Sequence, residues 1–260
     1  MPKYSLVILS NYKYEDLWPI SIHYLKNNWP EIYANTFIVT DNVKEKHLHD
    51  IKTIVVPTDS FSQRVFYALK EIESDFIVLI LDDYFITKRI NNEKIDAIVK
   101  FMDGNNVDYV RLFEIPKQKK KKMIPNMELY KLDLDTNYAI NLQPGVWRKS
   151  SLSKISEEDM NPWQFEVYMH KLSIDNNYIC YATLGKELPF EHGLLRGKFF
   201  RKTYRKVKKD GLLKTNRKKL TLLEEAKYKT RFKLSLLIPK KTKSFFKRIL
   251  KKFGFKFYTD

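Results

Sequence analysis

Apolar residues gather in short uninterrupted runs, and between the runs they recur at helical spacing. Residues 4–9 (YSLVIL), 36–40 (TFIVT), 51–56, 75–80 (DFIVLI) and 109–113 are such runs. A run this short with no polar alternation predicts a strand buried on both faces. Between them, Leu17, Ile20, Tyr24 and Leu25 mark one helix over 16–28, closed by Asn28 and Pro30. Phe61, Val65, Ala68, Leu69 and Ile72 mark a second over 60–73, with Ser60 as its N-cap. Further helices are expected over 92–102, from Ser150, and over 162–172. A strand at 138–142, a turn at Pro144-Gly145 and an apolar pair at Val146-Trp147 complete the pattern. Alternating strands and helices of this kind predict an α/β/α sandwich with a mostly parallel central sheet.

Composition narrows the class. The 260 residues are 43% apolar and 14% aromatic, enough to bury a core, so a disordered chain is excluded. One cysteine, Cys180, excludes a disulfide framework and any multi-cysteine metal site. Seven glycines leave little room for a long glycine-rich nucleotide loop. The opening MPKYSLVILS has too short an apolar stretch for a signal peptide, so a cytoplasmic location is expected.

The net charge of +17 points to an acidic partner, and its distribution matters more than its size. Residues 196–260 hold 24 Lys and Arg against four acids, leaving 24 basic and 27 acidic groups in residues 1–195. The body is mildly acidic, and the last quarter holds all the excess. The expected division is a catalytic body over 1–195 and a basic, helical extension over 196–260. Within the body, 117–122 (KQKKKK) reads as a solvated basic loop.

In open α/β sheets, ligands bind beyond the carboxyl ends of the strands. Three predicted strand ends carry polar residues there: Ser10-Asn11, Asp41-Asn42 and Asp82-Asp83. Two adjacent carboxylates after six apolar residues are costly unless something positive meets them. A divalent cation bridging to a diphosphate would do so. Loop capping, or pairing with Arg64 or Arg89, is the structural alternative.

Residues 61–85 (FSQRVFYALKEIESDFIVLILDDYF) resemble the central segment of GT-A glycosyltransferases of the family 2 type. In that family an apolar strand ends in a DxD-like acidic motif, which here reads Asp82-Asp83-Tyr84. The resemblance implies a GT-A fold over roughly residues 4–195, with Asp82 near the ribose or donor sugar and Asp83 on Mn²⁺ or Mg²⁺. It implies that Ser10, Asn11 and Asp41 hold the base of a nucleotide-sugar, a UDP-sugar being the first choice. Arg64 then contacts phosphate or base, or instead pairs with Asp59 or Asp83.

Residues 140–166 (INLQPGVWRKSSLSKISEEDMNPWQFE) resemble the acceptor side of bacterial polysaccharide glycosyltransferases. There an acid opening a helix is the general base of inverting members, which points to Glu166, with Asp159 and Glu158 as runners-up. Glu166 as a solvated acid favoured by the helix dipole is the plainer alternative. Trp147 and Trp163 are candidate platforms for an acceptor sugar, or core residues. His192, where the body ends, matches the late histidine that several GT-A enzymes supply to the metal. Neutral imidazole suits Mn²⁺ better than Mg²⁺. Arg196 and Lys198 could neutralise a leaving diphosphate or simply begin the basic tail. His23, His47, His49 and His170 show no ligand spacing.

In 242–257 (TKSFFKRILKKFGFKF) six apolar side chains fall on one helical face and six basic ones on the rest. That pattern predicts an interfacial helix at an anionic membrane surface, or an ordinary helix packed on the body. No helix-turn-helix, RRM, KH or zinc-finger pattern is present, so nucleic acid is not expected. The reading is a metal-assisted, inverting glycosyltransferase that acts on a lipid-linked glycan acceptor in bacterial surface polysaccharide synthesis. It would sit peripherally on the inner face of the plasma membrane. The alternatives are a sugar nucleotidyltransferase or a non-catalytic binding protein.

Overall fold

The computed structural model describes residues 3–43, 51–118, 122–125, 127–136 and 138–237, with the backbone alone over 231–237. His47, His49, the centre of the 117–122 loop and the 240–257 segment lie outside the described residues. In chain order the elements are β1 (Tyr4–Leu9), a 3-10 turn at Tyr12–Leu17, α1 (Trp18–Asn28), β2 (Thr36–Thr40) and β3 (Lys52–Val55). Then come α2 (Phe61–Glu71), β4 (Phe76–Leu81), β5 (Tyr84–Ile86), α3 (Asn92–Gly104), β6 (Tyr109–Arg111), β7 (Lys122–Met123) and β8 (Leu129–Lys131). Next are β9 (Gly145–Arg148), α4 (Lys149–Ile155), α5 (Pro162–Asp175), β10 (Cys180–Thr183), β11 (Phe190–His192), β12 (Leu194–Leu195) and β13 (Lys198–Phe199). The helices α6 (Arg201–Lys209) and α7 (Leu222–Leu237) follow.

Nine strands form one sheet in the order β3-β2-β1-β4-β9-β6-β10-β8-β7. β3, β2, β1 and β4 are mutually parallel, as are β6 and β10. β9 inserts antiparallel between β4 and β6. The central strands serve two cores at once. Leu6, Ile8, Phe76, Val78 and Ile80 face α1 and α3, while Val7, Leu9, Ile77 and Leu79 face α2, α4 and α5. Period-2 side-chain alternation between two apolar layers explains why these strands show no polar alternation. The chain thus has the α/β/α sandwich with a mostly parallel central sheet that the sequence leads one to expect.

Two local expectations change. No strand forms over 138–142, because Tyr138 has φ 57° and Asn141 turns the chain by donating to Tyr138 O at 3.0 Å. The strand in this region is β8, which pairs with β10. Packing also runs on past residue 195. Phe199, Val207 and the partly buried Tyr204, Leu212 and Leu213 cluster with Leu17, Ile20, Tyr24 and Phe85 on the outer side of α1. The Tyr24 hydroxyl donates to Asp210 at 2.6 Å.

Candidate active site

The sheet order reverses between β1 and β4: the chain runs outward from β1 through β2 to β3, then returns to β4 on β1's other side. This is a switch point, and the crevice beyond its strand ends is where α/β sheets bind ligands. Ser10 ends β1. Its hydroxyl donates to Asp82 Oδ2 at 2.5 Å and accepts from the Trp18 indole at 2.9 Å. The Asp82 backbone is fixed in turn, its N–H on Leu9 O at 3.2 Å and its carbonyl accepting from Ser21 Oγ at 3.0 Å.

Asp82 is buried, and burial pushes its carboxyl up to about 7, with the Asp83 charge adding and the Ser10 and Asn11 donors opposing. Burial pushes Asp83 up to about 6, against the Leu194 N–H bond. Desolvation outweighs hydrogen bonding in both cases. No Lys or Arg of the described residues forms an ion pair with Asp83, so the pair presents negative charge that a ligand cation would relieve. Arg89 pairs instead with Glu31 at the surface.

Asp41, at the end of β2, is held by three donors and an ion pair. Asn11 Nδ2 lies at 2.6 Å, Tyr12 N–H at 2.8 Å, Thr40 Oγ1 at 3.2 Å and Arg64 Nη1 at 3.3 Å. Arg64 rises from the first turn of α2, whose N-cap is Ser60, accepting from Gln63 N–H at 3.3 Å. Its Nη1 also donates to Ser10 O at 3.1 Å, so it ties the ends of β1 and β2 together. Burial lowers the Arg64 pKa, and Asp41 counters that shift. The Arg64 Nε is buried with no hydrogen-bond partner among the described residues. Arg64 therefore pairs with Asp41 rather than with Asp59 or Asp83.

Glu166 lies in the first turns of α5. A capping box fixes that helix start: Asn161 Oδ1 accepts from Trp163 and Gln164 N–H, and Gln164 Oε1 accepts from Asn161 N–H. Glu166 Oε1 accepts from Leu142 N–H at 3.1 Å, and burial raises its pKa despite that bond. Burial holds the Tyr84 phenol well above its usual pKa, and the charges of Asp83 and Glu166 add to that shift. The runners-up Glu158 and Asp159 are both exposed, on the loop before α5. Trp163 is 51% exposed on the first turn of α5.

Trp147 does not reach the surface. It is 2% exposed on β9, its ring 4.3 Å from Tyr109 between α2 and α4, and it is a core residue rather than a sugar platform.

His192 is brought to the acid pair by the β5–β11 ladder, in which it pairs with Tyr84. Its ring keeps an exposed edge but packs on Phe190 and Tyr84 at 5.0 and 5.1 Å. That apolar surround, with Lys186 adding, holds it below the usual imidazole pKa and therefore neutral. Gly193 N–H donates to Asp83 O at 2.6 Å, and a Cβ on Gly193 would stand 2.9 Å from that carbonyl, so only glycine allows this approach. The Asp83 carboxylate and the neutral His192 imidazole are donors of the kinds that a hard-to-borderline divalent ion takes. Among the described residues no three His, Cys, Asp or Glu side chains form a metal-holding group, so protein ligands alone would not complete the shell. Arg196 is exposed at φ 52°, and Lys198 is tied to Glu224 at 2.7 Å.

A cavity of about 780 Å³ lies at the opposite, N-terminal edge of β1, but its Tyr4 phenol is bonded to Asn92 and Asp96, and it holds none of these residues. Tyr14 and Arg217, whose pKa values the Asp82 charge raises, were not singled out by the sequence. Their positions, at a turn and in a basic stretch, carry no local motif.

The sequence matches no protein-family model and no curated protein. Among solved structures, the chain is similar to S. aureus TarS at 14% identity and TM-score 0.47, over 72% of this chain and 36% of that one. It is also similar to a cytidylyltransferase from Leptospira borgpetersenii at 12% identity and TM-score 0.46, over 85% of this chain and 100% of that one. S. aureus TarS 1–349 in complex with UDP-GlcNAc shows 16% identity and TM-score 0.43, over 70% and 58% of the two chains. This chain thus spans about a third of the full TarS structure. Similarity this low says nothing of what the chain acts on.

Proposed function

We propose that this chain is a GT-A-type glycosyltransferase, moving a sugar from a nucleotide-sugar donor, a UDP-sugar first, to a glycan or lipid-linked glycan acceptor in bacterial surface polysaccharide synthesis. The observation that supports this most is the buried Asp82-Asp83 pair beyond β4 at the switch point of the sheet. Ser10, Asn11, Asp41 and Arg64 would hold the base, and Asp82 the ribose or donor sugar. Asp83 and His192 would hold Mn²⁺ or Mg²⁺, which when bound neutralises charge on the departing diphosphate. Glu166 would take the proton from the acceptor hydroxyl as its oxygen attacks the anomeric carbon and the nucleoside diphosphate leaves. Its raised pKa suits that role, since a stronger base at the operating pH drives proton transfer further. Trp163, exposed one turn before Glu166, would stack on the acceptor sugar.

UDP at about 100 times its Kd, with Mn²⁺, should stabilise the protein by roughly 2.7 kcal/mol. For a chain of this size that is a Tm rise of roughly 5–10 °C. Asp83→Ala should remove the Mn²⁺-dependent part. A differential scanning measurement in which no nucleotide raises Tm ends this reading. Release of pyrophosphate from a nucleoside triphosphate in a donor-panel assay, with no nucleoside diphosphate from nucleotide-sugars, assigns a nucleotidyltransferase instead.

The basic amphipathic segment 240–257 would hold the enzyme reversibly at the inner face of the plasma membrane, each Lys or Arg contributing on the order of 1 kcal/mol at an anionic surface. No helix of the described residues is long and apolar enough to cross a membrane. Deleting 240–260 should abolish sedimentation with phosphatidylglycerol vesicles and leave UDP binding intact. Continued sedimentation of the shortened chain would place the membrane contact elsewhere.

A further inference from the structure

The 3-10 turn at Tyr12–Leu17 is gripped at both ends. At its start, Asn11 Nδ2 and Tyr12 N–H hold the Asp41 carboxylate, and Asn11 N–H reaches Asp82. The turn is wound tightly from there, Lys13 N–H donating to Asn11 Oδ1 at 3.1 Å and Tyr14 N–H to Asn11 O at 2.8 Å. At its far side Asp16 receives a two-pronged bond from Arg217, Nε to Oδ2 at 2.7 Å and Nη2 to Oδ1 at 2.8 Å. Arg217 Nη2 also donates to Lys13 O, and Thr215 Oγ1 donates to Asp16 Oδ2 at 2.5 Å. The guanidinium lies over the Tyr14 ring, 4.7 Å from its centroid.

Arg217 does not reach the turn on a loose tail. Phe199 N–H donates to Lys218 O at 2.9 Å and Leu220 N–H to Phe199 O at 2.8 Å, so the segment lies along β13. Phe199 is in turn fully buried with Phe85 and Leu194, next to the acid pair. The chain between α6 and α7 is therefore anchored to the body on both sides of Arg217.

An ordinary exposed ion pair is worth about 0–1 kcal/mol of stability, and Asp16 keeps 35% of its side chain exposed. Holding the fold together does not need this number of bonds converging on one turn. We infer that Arg217 is a positioning residue for donor binding: through Asp16 and Lys13 it sets the turn that presents Asn11 and Tyr12 to Asp41, and so shapes the site for a nucleoside diphosphate. Residues 212–221, counted by charge with the membrane extension, then form a wall of the donor site. This rests on the glycosyltransferase reading above.

The test is titration of the full-length chain with UDP and Mn²⁺ by calorimetry, alongside thermal unfolding. Arg217→Gln and Asp16→Asn should each weaken UDP binding roughly tenfold, a change of about 1.4 kcal/mol, while Tm moves by no more than a few degrees. Arg217→Lys, which keeps the charge but not the fork, should fall between Arg217→Gln and the wild type. The double variant should lose no more affinity than one single variant, as coupled residues do. Lys229→Ala, which breaks the comparable Lys229–Glu225 pair on α7, should leave UDP affinity unchanged. Wild-type binding of UDP with unaltered affinity in Arg217→Gln overturns the inference alone, as does a double variant whose loss is the product of the two singles. A wild type that binds no UDP overturns the glycosyltransferase reading and this one with it.

Discussion

Replacing Glu166 by Gln is expected to lower sugar transfer about 10²–10⁴-fold, the usual contribution of a general base, with UDP affinity unchanged. The same substitution should stabilise the protein at neutral pH. Glu166 has its pKa raised by burial, so the folded state holds its proton more tightly than the unfolded chain does. Between the unfolded and folded pKa values the folded state carries the extra proton, and stability falls as pH rises through that window. Above it the penalty stays, and Gln, which never ionises, escapes it. Activity runs the other way: transfer should rise with pH through the folded pKa, above the usual glutamate range, and the Gln variant should lack that limb. Single-turnover transfer across a pH series, with urea unfolding of both proteins, checks all three outcomes. Near-normal turnover in Glu166→Gln would move the base to Glu158 or Asp159.

Arg64→Met should be the most destabilising change at the strand ends. Asp41 is nearly buried and would lose the one cation it pairs with among the described residues, and breaking such a pair from one side costs about 3–5 kcal/mol. Asn11, Tyr12 and Thr40 still donate to Asp41, so the lower figure applies. For a chain of this length about 3 kcal/mol is a Tm loss of roughly 6–12 °C. Adding Asp41→Leu removes the stranded charge and should recover part of that loss, because apolar replacement of a whole buried pair is often near neutral. It should not recover UDP binding. A loss under about 1 kcal/mol in Arg64→Met would show that the pair matters little to the fold.

What the sequence showed follows from how far each feature is local. β1, β2 and β4 were legible because burial on both faces leaves no polar alternation in the run. So were the helix start at Ser60 and the acids after β4. The direction of β9 was not, since Val146-Trp147 looks the same whichever way it pairs. What fixes its place is its antiparallel pairing with β4 on one side and β6 on the other, where Gly145 leaves room for the Tyr109 ring. Trp147 illustrates the limit for the site. A large aromatic near an acidic helix start fits a sugar platform and a core residue equally, and only the neighbouring helices decide. Arg64 and Asp41 are 23 positions apart on different elements, so their pairing had no sequence signal. The extension was misleading for the opposite reason. Net charge treats 196–221 and 240–260 alike, while the widely spaced Phe199, Val207 and Leu220 bury themselves in the body.

The bonded chain Trp18–Ser10–Asp82 gives the site an optical reporter. The Trp18 indole is 2% exposed and donates to the hydroxyl that in turn donates to the Asp82 carboxylate. Indole emission responds to the charge and hydrogen bonding of its N–H partner, so a change at Asp82 reaches Trp18 through a single oxygen. Trp29 and Trp147 are buried in the two sheet-flanking cores and Trp163 stands in solvent, so a Trp18→Phe difference spectrum isolates that signal. Ligand arrival at the strand ends becomes readable in the unlabelled protein.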